Sequence, residues 1–121
     1  MANQLTEEAA ATAFAKAWNC LQADGFLVLL ANDARYTSQW VFEELEGVTS
    51  ISDYLRGKMQ TLRDLKSTNP AVQVRVETRR AIMGDGSPRP CAVMTQGPNG
   101  DITAVALFTI QDKKIKRYDL C

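Results

Sequence analysis

The chain of 121 residues contains no histidine, and this absence excludes several kinds of chemistry. Ser-His-Asp and Cys-His catalysis need an imidazole to take the proton of the nucleophile, and histidine metal sites need one as a ligand. An excess of charge of one sign is also lacking, since 14 basic side chains balance 14 acidic ones. Because nucleic-acid-binding domains carry a basic surplus, we expect no nucleic-acid partner.

Cysteine is sparse as well. Cys20, Cys91 and Cys121 are far apart and form no CxxC pair, which argues against zinc sites and thioredoxin-like chemistry. Their odd number indicates reduced thiols and a cytoplasmic location. Glu7 and Glu8 stand where a secretory signal is basic, and no apolar run approaches the roughly 20 residues of a membrane span. We therefore expect no metal, no cofactor and no membrane.

The chain has the length of one domain, predicted over residues 1-121. Apolar residues at helical spacing predict three helices. The first begins near Thr6, the second is short and runs from Asp24 to about Asn32, and the third runs from Ser50 to Asn69. Alternating apolar and polar residues predict strands. These strands lie at residues 34–42, 43–46, 72–83, 91–96, 102–110 and 115–120.

The order of elements points to one class of fold. The helices come early, and the last four strands are joined by tight turns, which make successive strands antiparallel. Such segregation is typical of α+β proteins and not of parallel α/β folds. We predict a curved antiparallel sheet wrapped around three N-terminal helices, in the order α-α-β-β-α-β-β-β-β. This arrangement forms a cone with an interior.

Three segments of the chain carry a resemblance to a known superfamily. They are residues 23–34, the strand to Trp40 with Gly47 and the helix after it, and the closing hairpin 108–117. In these segments the chain resembles the nuclear transport factor 2-like superfamily, which includes polyketide-cyclase-like proteins and ketosteroid isomerases. The resemblance covers nearly the whole chain and implies a cone-shaped α+β barrel. Its motifs are signatures of the fold and do not specify a reaction.

The resemblance allows the catalytic positions of ketosteroid isomerases to be compared. Those enzymes use a tyrosine on the first helix, an aspartate base on the first long strand and a protonated aspartic acid on a late strand. The three positions fall on Phe14, Ser38 and Ala106, so isomerase chemistry is not expected. Asp119, on the last strand, is the remaining candidate for a catalytic carboxylate. It would need to lie inside the cone with a raised pKa.

A set of mainly aromatic residues is predicted to face the interior of the cone and bind a ligand. Tyr36, Ser38 and Trp40 share one face of a strand because side chains alternate along it. The full set is Phe14, Trp18, Tyr36, Ser38, Trp40, Tyr54, Ala106 and Phe108. Two interpretations are open. The rings either form the wall of a pocket or fill the cone as core.

Three functions are consistent with this sequence. We favour a domain that binds a small, largely apolar molecule inside the cone. The first alternative is a carboxylate-dependent cyclase, isomerase or hydratase that acts on a small apolar substrate. The second is a dimeric scaffold whose cone is filled by side chains and holds no ligand.

The outer face of the sheet predicts a partner. Val105 and Leu107, with Thr103 and Thr109 beside them, give the strand 102–110 an apolar outer side. Such a face needs covering, and a symmetric pair of sheets covers it with a single kind of contact. We therefore expect a homodimer through this face.

Overall fold

The computed structural model describes residues 5–38, 43–69, 74–96 and 101–120. These residues form α1 (Glu7–Cys20), α2 (Asp24–Leu27), β1 (Leu30–Ser38), β2 (Leu45–Glu46), α3 (Val48–Thr68), β3 (Val74–Ile82), β4 (Pro88–Gln96), β5 (Asp101–Gln111) and β6 (Lys114–Leu120). The predicted α+β class and order of elements are confirmed. No helix in the described part of the chain combines the length and the apolar character needed to cross a membrane.

Helix α1 begins at the predicted residue. The Thr6 hydroxyl accepts a hydrogen bond from the Ala9 N–H at 3.0 Å, which satisfies one of the free donors of the first turn. Glu7 and Glu8 follow, where carboxylates stabilise the positive end of a helix. One face of α1 is buried against the sheet and includes Phe14 and Trp18.

Two predicted boundaries are wrong, and tertiary contacts explain both. Helix α2 ends at Leu27 because the next residues join the sheet, where the Ile115 N–H donates to the Leu29 carbonyl at 2.8 Å. Helix α3 begins at Val48, before the Ser50 expected to cap it. The residue before α3 is Gly47, whose φ of 93° lies in the region that favours glycine.

The sheet has the strand order β2-β1-β6-β5-β4-β3. Strands β3 to β6 form the predicted antiparallel series. The sheet is nevertheless mixed and not wholly antiparallel, because β1 pairs with β6 in parallel and aligns Tyr36 with Tyr118. Turn length predicts the direction of successive strands only, and β1 and β6 come from opposite ends of the chain.

A cluster of aromatic rings joins the helices to the sheet. The Phe14 ring lies at its centre, between 5.2 and 6.2 Å from the rings of Trp18, Phe26, Phe108 and Tyr118. Most of these contacts are tilted or edge-on, the geometry that aromatic pairs prefer. Phe14, Phe26, Phe108 and Tyr118 are each at most 2% exposed, so this end of the cone is filled.

The free edge of the sheet is covered by a side chain of α1. Strand β3 is last in the strand order, so half of its backbone groups lack a strand partner. The Asn19 amide donates to the Val76 carbonyl and accepts from the Val76 N–H, each at 2.8 Å. Asn19 therefore extends the hydrogen-bond pattern of the sheet by one residue and holds α1 against β3.

We expect Phe14→Ala to lower the free energy of unfolding by about 3–5 kcal/mol, because it removes the ring that the other rings contact. Urea denaturation measures the loss. The control is Val28→Ala, since Val28 is 64% exposed. That substitution should change the value by less than about 0.5 kcal/mol. A loss below about 1 kcal/mol for Phe14→Ala would contradict a central role for this ring.

Candidate functional site

A cavity of about 310 Å³ lies between the helices and the sheet. Trp18 comes from α1, four residues come from α3, and the strands supply the remainder. The lining residues are Trp18, Tyr36, Tyr54, Lys58, Thr61, Leu62, Val74, Met94, Gln96, Thr103 and Leu120. This volume falls in the lower part of the range found for small-molecule sites.

The α3 side of the cavity follows from helical spacing. Tyr54, Lys58, Thr61 and Leu62 recur at intervals of three or four residues and so share one face of the helix. Lys58 and Thr61 are exposed, whereas Tyr54 and Leu62 are half-buried. The cavity therefore has a polar rim on α3 above a more apolar interior.

The predicted ligand-binding residues divide into two groups. Trp18, Tyr36 and Tyr54 line the cavity, and half-buried Ser38 forms a hydrogen bond with Tyr36. Trp40 lies outside the described residues.

The residues of the second group are buried in the core and do not line the open space. Phe14 and Phe108 lie in the aromatic cluster, and Ala106 is 2% exposed in the same core. None of the three lines the cavity. Both interpretations of the aromatic set therefore describe part of the molecule, because one region of the cone is filled and another is open.

Three tyrosines meet at the inner wall. The Tyr36 ring stacks on Tyr118 with centroids 4.5 Å apart, and the Tyr54 ring lies 5.5 Å from Tyr36. Burial raises the pKa of Tyr36, a hydrogen bond with Ser38 opposes this rise, and Tyr54 adds to it. Burial also raises the pKa of Tyr118 well above its usual range. Tyr36 and Tyr118 are therefore neutral hydroxyls at ordinary pH and not bases.

Two buried polar atoms have no hydrogen-bond partner among the described residues. They are Nε1 of Trp18 and the hydroxyl oxygen of Tyr118. The Trp18 indole can only donate, and Trp18 lines the cavity. A buried donor without an acceptor is costly, so neither atom contributes a hydrogen bond to stability among the described residues.

The structure places Asp119 on the outer face of the sheet, and not inside the cone where catalysis requires it. Its carboxylate accepts a hydrogen bond from Thr37 and lies 3.0 Å from Nε of Arg117, which also pairs with Glu44. Its neighbours Tyr118 and Leu120 point inward. Among the described residues, the cavity is lined by no carboxylate and no charged group is buried.

Tyr118 and the polar rim on α3 were not predicted from the sequence. The last strand alternates apolar Tyr118 and Leu120 with charged Arg117 and Asp119, which was a signal that the carboxylate faces outward. Thr103 was expected on the outer face but lines the cavity. The β4–β5 register shifts between Met94 and Thr95, next to Thr103, and such irregularities redirect side chains.

We expect Tyr118→Phe to leave the free energy of unfolding at neutral pH unchanged or raised by about 1 kcal/mol, because it removes a buried hydroxyl that lacks a partner. A raised tyrosine pKa in the folded state costs stability only above the unfolded value of about 10, where the unfolded chain releases its proton first. The variant should therefore lose less stability than the parent as the pH rises past that value.

Urea denaturation across the alkaline range measures both effects. Tyr36→Phe is the matched control, since Tyr36 forms hydrogen bonds with Ser38 and Tyr54 and should lose stability at neutral pH. Destabilisation of Tyr118→Phe by more than about 1 kcal/mol would mean that its hydroxyl does have a partner.

Comparison with known proteins gives similarity in structure alone. No protein-family model and no curated protein matches the chain. A SnoaL-like protein of unknown function from Burkholderia thailandensis matches with a TM-score of 0.66 at 17% identity, over 98% of each chain. An NTF2-like protein of unknown function from Cytophaga hutchinsonii matches with a TM-score of 0.60 at 15% identity, over 100% of this chain and 93% of the other.

A third similar structure was determined with a small molecule. TerC co-crystallised with polyporic acid matches with a TM-score of 0.60 at 15% identity, over 93% of this chain and 87% of TerC. The matches span nearly the full length of each chain, as the resemblance in sequence implied. The element order, the mixed sheet and these neighbours together show that the chain has the same α+β fold as NTF2-like and SnoaL-like proteins.

Proposed function

We propose that the protein binds a small, largely apolar molecule in the cavity between α1, α3 and the sheet. The observation that carries this proposal is an open space of about 310 Å³ with Trp18, Tyr36 and Leu62 in its wall. The apolar lining would remove a ligand's apolar surface from water.

The two alternatives fit the cavity less well. A carboxylate-dependent enzyme needs an acid or base in the wall, and the described lining residues include neither Asp nor Glu. A scaffold whose cone is filled by side chains would have no cavity beside Tyr54 and Leu62, where the structure has one. TerC, which has a similar fold, was co-crystallised with polyporic acid, and this supports a small-molecule site in the present chain.

Blocking the cavity should abolish binding. We expect Leu62→Trp to weaken binding of naphthol at least about tenfold, because the larger ring occupies the space that the probe needs. Isothermal titration calorimetry measures the affinity. The matched control is Leu65→Trp, since Leu65 lies on the same helix, is 45% exposed and does not line the cavity. It should bind as the parent does.

Two results would contradict the proposal. One is that naphthol fails to bind the parent protein, and the other is that Leu62→Trp binds it as well as Leu65→Trp does. Native mass spectrometry of the protein as purified would in addition reveal a retained molecule and the number of subunits.

A homodimer through the outer face of the sheet is part of the same proposal. Val105 and Leu107 are half-buried on this face, and Val93 beside them is 6% exposed. Ion pairs flank this apolar centre, including Arg117 with Asp119 and Arg79 with Glu77. An apolar centre with a polar rim is the usual anatomy of an interface.

The free thiols at Cys20 and Cys91 agree with a cytoplasmic location, which stays a prediction.

We expect Leu107→Arg to convert the dimer into a monomer. At the centre of a two-fold interface the guanidinium groups of the two subunits would lie close together and repel each other. Sedimentation velocity at micromolar concentration measures the change. Leu65→Arg, an exposed leucine on the helical side, is the control and should stay dimeric. A parent protein that sediments as a monomer would contradict this part of the proposal.

A further inference from the structure

We propose that the ligand of this cavity is an anion: an apolar body that carries one negative charge, such as a carboxylate or an enolate, and places that charge beside Lys58. This inference rests on the proposed function and adds the chemical class of the ligand. It makes Lys58 a residue that determines specificity.

Lys58 lies at the rim of the cavity, next to the ring of Tyr54. Its Nζ atom lies 5.6 Å from the centroid of the Tyr54 ring, and both residues line the cavity. No carboxylate of the described residues forms an ion pair with it, although basic residues elsewhere pair repeatedly with Asp or Glu. The contact with the ring keeps the ammonium group near the cavity mouth.

The position of Lys58 on α3 explains why it has no ion pair within its own helix. A lysine on a helix reaches partners three or four residues away. Those positions hold Tyr54, Leu55, Thr61 and Leu62, and none of them is acidic. Helix α3 does contain Asp53 and Asp64, but neither stands at a pairing distance from Lys58 in the sequence.

The rest of the lining also favours an anion. Among its described residues no side chain carries a negative charge that would repel one. Residues 39–42, 70–73 and 97–100, which fall between the described ranges, contain neither Asp nor Glu in the sequence.

The size of the effect follows from the exposure of Lys58. An ion pair at an exposed site is screened by water, so we expect a preference of about fivefold and not of orders of magnitude. Salt should weaken the preference further, since a charge at the cavity rim is open to counter-ions.

A pair of probes that differ in charge and little in shape isolates the contribution of Lys58. The probes are naphthalene carboxylate and naphthalene carboxamide, titrated by calorimetry at low ionic strength. We expect the parent to bind the carboxylate about fivefold more tightly than the carboxamide. Lys58→Gln should remove this preference, and Lys58→Glu should reverse it.

Lys66→Gln is the matched control. It removes the same charge from the same helix at a residue that does not line the cavity, and it should keep the preference. Far-ultraviolet circular dichroism of each variant confirms that α3 is intact, as the exposure of Lys58 leads us to expect.

The outcomes separate this inference from the proposed function. Equal binding of the two probes to the parent, or a preference that survives in Lys58→Gln, would overturn the role of Lys58 and leave the cavity as a ligand site. Failure of both probes to bind the parent would overturn the proposed function itself and this inference with it.

Discussion

The parallel pairing of β1 with β6 is the constraint on which the rest of the structure depends. Tyr36 and Tyr118 stack across this pair with centroids 4.5 Å apart, and both rings are buried. Through this pair the strand from the N-terminal half joins the antiparallel series formed by the C-terminal half. The Tyr118 ring also contacts Phe14 of α1. Tyr118 therefore stabilises both the β1–β6 pair and the packing of α1 on the sheet.

One part of the interior of the cone is packed with aromatic rings, and another part is open. The rings around Phe14 and Phe108 fill the packed part, and their contacts hold the helices against the sheet. Beyond them, α3 presents Tyr54 and Leu62 across a gap from the strands, and the gap is the cavity. A rigid wall with a neighbouring void is the arrangement that a preformed binding site requires, because the wall need not be reordered when a ligand enters.

The charged groups also differ between the outer face of the sheet and the cavity. Asp119, the candidate catalytic carboxylate, is held by Arg117 on the outer face of the sheet, and Arg117 also pairs with Glu44. The described lining consists of neutral polar side chains and apolar ones, with Lys58 at the rim. The proposed site would therefore select a ligand mainly by shape, and its described lining contains no carboxylate that could move a proton.

The sequence by itself determined the class of fold, the order of the elements and the start of α1 at Thr6, because helical spacing, alternation and capping are local properties. Of the residues that it predicted for the interior, Trp18, Tyr36 and Tyr54 line the cavity. Only the tertiary structure decided the parallel β1–β6 pair and which rings fill the core and which line the cavity. It alone also decided that Asp119 faces outward. These features depend on contacts between residues far apart in the chain, and a shift of one residue in strand register exchanges the two faces.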